Sequence, residues 1–424
     1  MKRIVIDDQY VEQEFLRIAS EIVSEDKNAN LSFILEGLCG KDVSKIDMGN
    51  LSPANFRRLT FDSETIFSDE QIKKFHPEKL LERGKSFSRG MERLHAKGID
   101  GKGTTIGIID SCFDSSIAEF DSRVVQHLVF EKENGKDFVF YREYREEDGD
   151  GFHGKTTASL AAGNECGVAP NARMYLFGIA EGTSWGEAKE AILKYIIDNN
   201  IELDIISMSA DIETSKEGQE ILDKLEDKGC TFLDSSKFWK DFSWGRPSDD
   251  GKVVLIDELM KTMSNMQYDE NSRSGKVLKN MPNTVILPCT ERTSLQIGKK
   301  KGYKYNGSVC GASFAIPQIA GLFAIARQID PLILYNEFIE IVKNPERLNS
   351  EGMMYVDSEE IVKKIQERSK TKGEILEETE SLKNTQTLGR ETLEEQRDTS
   401  EKLVVVQDMA QQIKDLENEQ EKGK

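Results

Sequence analysis

Histidine is the scarcest reactive residue in this chain, with four among 424 residues: His76, His95, His127 and His153. Any chemistry that needs an imidazole base near neutral pH has only these candidates. Cysteine is nearly as rare. Cys39, Cys112, Cys166, Cys230, Cys289 and Cys310 are scattered, without the paired spacing of a metal site or the density of a disulfide framework. They read as small packing residues, although Cys112 follows Asp110 closely and Cys310 precedes Ser313. Positive charge is short too: 57 Lys and Arg stand against 76 Asp and Glu, a net charge of -19 with no basic stripe. That balance disfavours nucleic acid as a partner and suits basic peptides. No run approaches the roughly 18 apolar residues of a membrane span, so no membrane partner is expected. The opening Met-Lys-Arg-Ile-Val-Ile-Asp-Asp has too short an apolar run for a signal peptide. The expectation is a cytoplasmic protein, 38% hydrophobic and 31% charged, with one large domain and polar appendages.

What is present centres on one serine. Gly311-Ala312-Ser313-Phe314-Ala315-Ile316-Pro317-Gln318-Ile319-Ala320-Gly321 sets Ser313 among small residues at the start of an apolar helical run. Small neighbours admit a substrate backbone, and a helix N-terminus directs N–H groups at developing negative charge. Pro317 is expected to be harmless because the first helical turn needs no donor. Such a nucleophile needs a base. His76 and His95 lie in charged, helix-like surroundings and His127 in an alternating apolar stretch, which makes each structural or solvated. His153 instead follows Asp150-Gly151-Phe152 and precedes Gly154 and a small-residue helix running to Gly163. Upstream, Thr104 to Asp110 reads as an apolar strand ending in a carboxylate, a natural place from which to orient an imidazole.

In these segments the chain resembles a subtilisin-type serine protease, a subtilase, in which the order Asp, His, Ser is the family's own. Further segments carry the likeness. Gly167-Val168-Ala169-Pro170 is similar to the turn after the histidine helix, and Asp204 to Ser209 to the strand that borders the substrate. Val285-Ile286-Leu287-Pro288 and Tyr303 to Gly307 resemble the approach to the serine, and Gly352 to Asp357 the short closing segment. The resemblance runs from about Phe87 to about Val362. It implies a doubly wound α/β fold, a mostly parallel sheet with helices on both faces, and a catalytic triad of Asp110, His153 and Ser313. It also implies that Ser209, Ala210 and Asp211 pair with a protein or peptide substrate, and that no cofactor or metal takes part.

The rest of the chain divides around that domain. Residues 1–85 form an N-terminal extension in which Tyr10, Val11, Phe15, Ile18, Ala19, Ile22 and Val23 recur at helical spacing. It is either a cleaved propeptide or a fixed docking extension. Residues 86–368 form the catalytic domain, opening with a helix-like segment that carries Phe87, Met91 and Leu94. Strands at Arg173 to Ile179, Leu203 to Met208 and Cys230 to Leu233 alternate with helices at Glu187 to Asn199 and Gly218 to Lys228. Residues 369–424 are a charged tail, helical or disordered, whose Leu403, Val406, Ala410 and Ile413 make barely two heptads. Extension and tail are the candidate docking segments for a partner. Asp148-Gly149-Asp150-Gly151 resembles part of a calcium loop but lacks the other ligands.

The sequence departs from the family at the oxyanion donor. Where an asparagine is expected after Gly229 to Leu233, it reads Asp234-Ser235-Ser236-Lys237. Losing that donor costs about 2.7–4 kcal/mol of transition-state stabilisation, the size known for subtilisin itself. Asp234, Ser235, Ser236 and Asn306 are the possible substitutes. Ser209-Ala210-Asp211 in place of Ser-Leu-Gly makes the cleft narrower or more acidic, which points to a basic side chain near the cut. Two readings follow. One is an intracellular serine endopeptidase with restricted substrates; the other is a degenerate relative that binds peptide without cleaving it.

Overall fold

The computed structural model describes residues 38–57, 59–88, 90–132, 138–247, 253–255, 284–288, 291–295, 302–307, 311–343, 353–371 and 373. The helical pattern of residues 10–23, Cys289, Cys310, Gly352 and the tail positions 403–413 lie outside them. The chain divides into two compact units, one ending at Val362 and the other beginning at Lys363.

In the first unit a short helical turn at Pro53–Phe56 precedes β1 (Thr60–Asp62), which is followed by helices α1 (Asp69–Phe75), α2 (Pro77–Lys85) and α3 (Met91–Ala96). Next come β2 (Thr105–Ser111), β3 (Val124–Glu131), β4 (Phe140–Glu143), α4 (Phe152–Ala162), β5 (Arg173–Ile179), α5 (Trp185–Asp198), β6 (Ile205–Met208), α6 (Lys216–Asp227) and β7 (Thr231–Leu233). After α7 (Ser235–Asp241) run β8 (Phe242–Pro247), β9 (Val253–Leu255), β10 (Thr284–Pro288), β11 (Arg292–Leu295) and β12 (Tyr303–Asn306). Helices α8 (Ala312–Ile329) and α9 (Tyr335–Val342) and strand β13 (Met353–Tyr355) complete it.

The central sheet has the order β4-β3-β5-β2-β6-β7 and is parallel throughout except for the antiparallel β3–β4 pair. Its inner strands are apolar on both faces because helices cover both. On one face Ala188, Ile192, Leu193 and Ile196 of α5 and Ile221 and Leu225 of α6 pack with Ile109, Phe177, Ile206 and Phe232. Ile106 and Ile108 alternate with Ile109 and so point the other way, where α4 and α8 lie over β2 and β6. Those two helices approach closely through Gly321, where an added Cβ would stand 2.6 Å from Ala161 O. Doubly wound architecture follows, as the alternation of strand and helix segments implies.

Helix α8 has the length and apolar composition of a membrane span, contrary to the expectation that no segment would, and it is the buried core helix of this unit. Its apolarity is spent on the domain interior. Pro317 is also not where the sequence suggested: it is the sixth residue of α8, beyond the first turn, and its missing N–H would have bonded the Ser313 carbonyl. The freed carbonyl accepts from Ser209 Oγ at 2.9 Å instead.

Two smaller sheets complete the unit: β13-β10-β8-β9, and β1-β12-β11. In the latter, β1 runs antiparallel to β12 with Thr60 opposite Asn306. An aromatic core of Phe56, Phe61, Phe67 and Phe75 closes over Tyr305, with the Phe56 and Phe75 rings stacked at 4.2 Å. The region before residue 85 thus shares a ladder with the strand that leads toward Ser313. Phe87 is buried but lies ahead of its helix, which starts at Met91. In the second unit residues 363–371 are helical, with a Lys363–Glu367 ion pair of 3.7 Å one turn apart.

Candidate active site

The carboxyl ends of the parallel strands meet at one edge of the central sheet, the place where such folds gather chemistry. Asp110 is the sixth residue of β2 and is 2% exposed. A buried carboxylate must be hydrogen-bonded, and this one is. The Ser111 N–H donates to Oδ1 at 2.7 Å, Ser111 Oγ to Oδ1 at 3.2 Å, and Thr157 Oγ1 to Oδ2 at 3.0 Å. His153 Nδ1 faces the same carboxylate at 2.8 and 3.0 Å from its two oxygens.

The sequence forces that meeting. Gly154, the residue after His153, has no Cβ, and one would stand 2.2 Å from the Ser111 carbonyl, so only glycine lets the start of α4 lie against the end of β2. The Gly154 N–H donates to Ser111 Oγ at 3.0 Å, and the Gly151 N–H to the Cys112 carbonyl at 2.7 Å. Together they clamp the helix start. Burial of the imidazole pushes its pKa down, while the hydrogen bond and charge of Asp110 push it up by more in sum, leaving His153 above the ordinary histidine value.

Ser313 is the second residue of α8. Its Oγ donates to the Ser209 carbonyl at 3.4 Å rather than to His153, while Ser209 Oγ returns the contact to the Ser313 carbonyl. Phe314 ties the serine helix to the histidine helix, its ring 5.9 Å from that of His153 and 6.1 Å from that of Phe152. Asp110, His153, Ser313 and Ser209 therefore sit in one neighbourhood.

Beyond β6, the Ala210 carbonyl accepts from the Ser235 N–H at 3.2 Å, and Asp211, which is exposed, accepts from Ser236 Oγ at 2.7 Å. Asp234 caps α7 by accepting from the Lys237 N–H at 2.8 Å. Asn306 lies in β12, its amide donating to Ser294 Oγ at 3.0 Å. Among the candidate oxyanion donors, Ser235 Oγ is the one that makes no hydrogen bond to the described residues.

The remaining histidines have other employment. His76 adopts a left-handed conformation (φ 52°) between α1 and α2, and His95 contacts the Val168 carbonyl at 2.9 Å. His127 stacks on Tyr144 at 4.5 Å, and burial pushes its pKa down to about 4. Asp148 is bonded to Arg142 at 2.5 Å and Asp150 to Lys155 at 2.5 Å. Burial raises the Cys112 thiol to about 12, which keeps it a packing group near neutral pH. Sequence reading missed Ser111 and Thr157 as partners of Asp110. Thr157, one helical turn after His153, was the available signal.

The subtilase family model matches residues 101–342, more than half of the chain. This chain belongs to the subtilase family. The subtilisin-like protease PopC of Myxococcus xanthus (strain DK1622) is 33% identical over 102 residues, which are 24% of this chain and 21% of that protein. The match thus spans about a fifth of that subtilase's length. Among solved structures, the prenylagaramide maturation protease PagA superposes with a TM-score of 0.42 at 13% identity, over 66% of this chain and 99% of the other.

Proposed function

We propose that this subtilase is an endopeptidase that works through an acyl-enzyme, with Ser313 as nucleophile, His153 as general base and then acid, and Asp110 as the group that fixes and charges the imidazole. The observation that carries the reading is the Asp110–His153 hydrogen bond of 2.8 Å at the sheet edge where Ser313 also begins its helix. With Nδ1–H committed to the carboxylate, Nε2 is the lone-pair nitrogen. A turn of the Ser313 side chain away from the Ser209 carbonyl brings its hydroxyl under that nitrogen. The hydroxyl then loses its proton to His153 as Oγ bonds the peptide carbonyl. His153⁺ returns the proton to the departing amine, and water repeats the sequence to release the acyl group.

The N–H groups at the start of α8 face the developing oxyanion, and Ser235 supplies the side-chain donor in place of the family's asparagine. The segment from Ser209 to Asp211 receives the peptide as an added strand, where the exposed Asp211 favours a basic side chain near the cut. The scattered cysteines support a cytoplasmic enzyme, and the departures from the family pattern along the cleft support a restricted set of substrates. A fluorophosphonate probe tests the mechanism. Labelling of the full chain that disappears in Ser313→Ala is the expected result, and equal labelling of both forms, or of neither, overturns it.

A further inference from the structure

A lysine sits where α5 should carry an apolar residue. Residues 188, 189, 192, 193 and 196 form the buried stripe of that helix, and four are Ala, Ile, Leu and Ile. The fifth, Lys189, is 1% exposed. Burying an ammonium is costly unless it is fully bonded, and a Met of similar length would fill the same space without that cost. No carboxylate among the described residues forms an ion pair with it. Its Nζ instead donates to the Ile212 carbonyl at 2.9 Å and to Thr214 Oγ1, and lies 5.2 Å from the ring of Phe232. Burial pulls its pKa below the ordinary lysine value, while the nearby charges of Asp234 and Glu190 oppose that shift.

Both bonds go to one short segment, the connection from β6 to α6. The adjacent Glu190 holds the far end of it by accepting from the Ser215 N–H at 2.8 Å. The near end is held by the Ser235–Ala210 and Ser236–Asp211 bonds. Between these anchors, Asp211 and Glu213 are exposed while the residues between and beyond them are half-buried. Among the described residues the middle of the segment has no strand partner beyond Met208; Ile212 packs on the core beneath it, and its polar anchor there is the lysine.

We propose that Lys189 is a positioning residue for extended peptides: its two charge-assisted hydrogen bonds hold residues 209–214 in the shape that accepts a substrate strand. This rests on the reading that Ser209, Ala210 and Asp211 bind substrate. An added strand gains its affinity from several backbone bonds at fixed spacing, so a slack edge loses all of them together. A small ester reaches only the nucleophile and the oxyanion donors, which bond Ser209 and Ala210 at the start of the edge, and it gains nothing from residues 211–214, the part that Lys189 holds.

The test uses the full chain, its Lys189→Met and Thr214→Val variants, and two substrates: an unstructured fluorogenic decapeptide containing Lys and Arg, and p-nitrophenyl acetate. Amide hydrogen exchange across 209–215 is followed in parallel. In Lys189→Met, exchange in that segment should accelerate by about tenfold or more and KM for the decapeptide should rise about tenfold, with ester hydrolysis within about twofold of wild type. Thr214→Val, which removes one bond outside the helix, should show the same pattern at about threefold. Unchanged exchange in 209–215 overturns the proposal whatever the activity, as does an equal loss on both substrates. Faster exchange in a protein whose wild type cleaves neither substrate shows that the peptidase reading failed, and the proposal falls with it.

Discussion

The two halves of the candidate site are built to different tolerances. On the Asp110 side both carboxylate oxygens are tied down: they take bonds from Ser111, Thr157 and His153, and Gly154 permits the backbone contact that brings these groups together. On the Ser313 side the hydroxyl makes one long bond of 3.4 Å to a carbonyl, and Ser235 Oγ makes no hydrogen bond to the described residues. Under the proposed mechanism the contrast has a chemical logic. The base and its orienting carboxylate keep one arrangement through the cycle, so rigidity helps them. The nucleophile and the oxyanion donor must change partners as the tetrahedral centre forms and collapses, so a strong resting bond to either would be lost in the transition state.

Breaking the rigid half should cost most. Asp110→Asn removes the charge and invites the wrong imidazole tautomer, and peptidase turnover should fall about 10⁴-fold with the fold intact by circular dichroism. Removing the candidate oxyanion donor comes next: Ser235→Ala should lower kcat about 100-fold with little change in KM. Ser236→Ala, whose hydroxyl already serves Asp211, should change kcat by less than about threefold, and a reversal of these two would move the donor role to Ser236.

The pH dependence sharpens the comparison further. His153 must be neutral to accept a proton, and its folded pKa is raised above the ordinary 6.5, so kcat/KM should climb about tenfold per pH unit on the acid side and level off only above that value. Stability moves the other way. A raised pKa means that the charged imidazole stabilises the fold fully below the unfolded value, a contribution lost as pH rises through the folded value. Melting temperature should therefore lose a small increment in the window where activity appears, and Asp110→Asn should show neither the increment nor the raised midpoint. Thr157→Val touches only one of the bonds on the carboxylate and should cost about tenfold in kcat.

Much of this was legible in the residues because the relevant signals are local. Apolar runs bounded by polar turns located β5 and β6, and the small residues after His153 marked a helix able to lie close to a strand. The order of Asp110, His153 and Ser313 gave the family. What escaped was non-local. The pairing of β1 with β12 joins residues about 240 positions apart, and no periodicity announces a partner at that range. The burial of Lys189 was not legible either, since nothing in its neighbours reveals that the β6–α6 connection passes over it. Pro317 was assigned to the first helical turn because sequence alone does not say which carbonyl its missing N–H would strand, nor that Ser209 would satisfy it.

The ladder between β1 and β12 also orders events in time. A chain leaving the ribosome presents Thr60 to Asp62 long before Tyr303 to Asn306 exist, so the early aromatic cluster waits, incompletely covered, until Tyr305 arrives. Such distant contacts are slow to close and leave apolar surface open meanwhile. The step that completes this cluster is also the one that seats the strand just upstream of Ser313, so in newly made protein the candidate site is expected to be the last region to assemble.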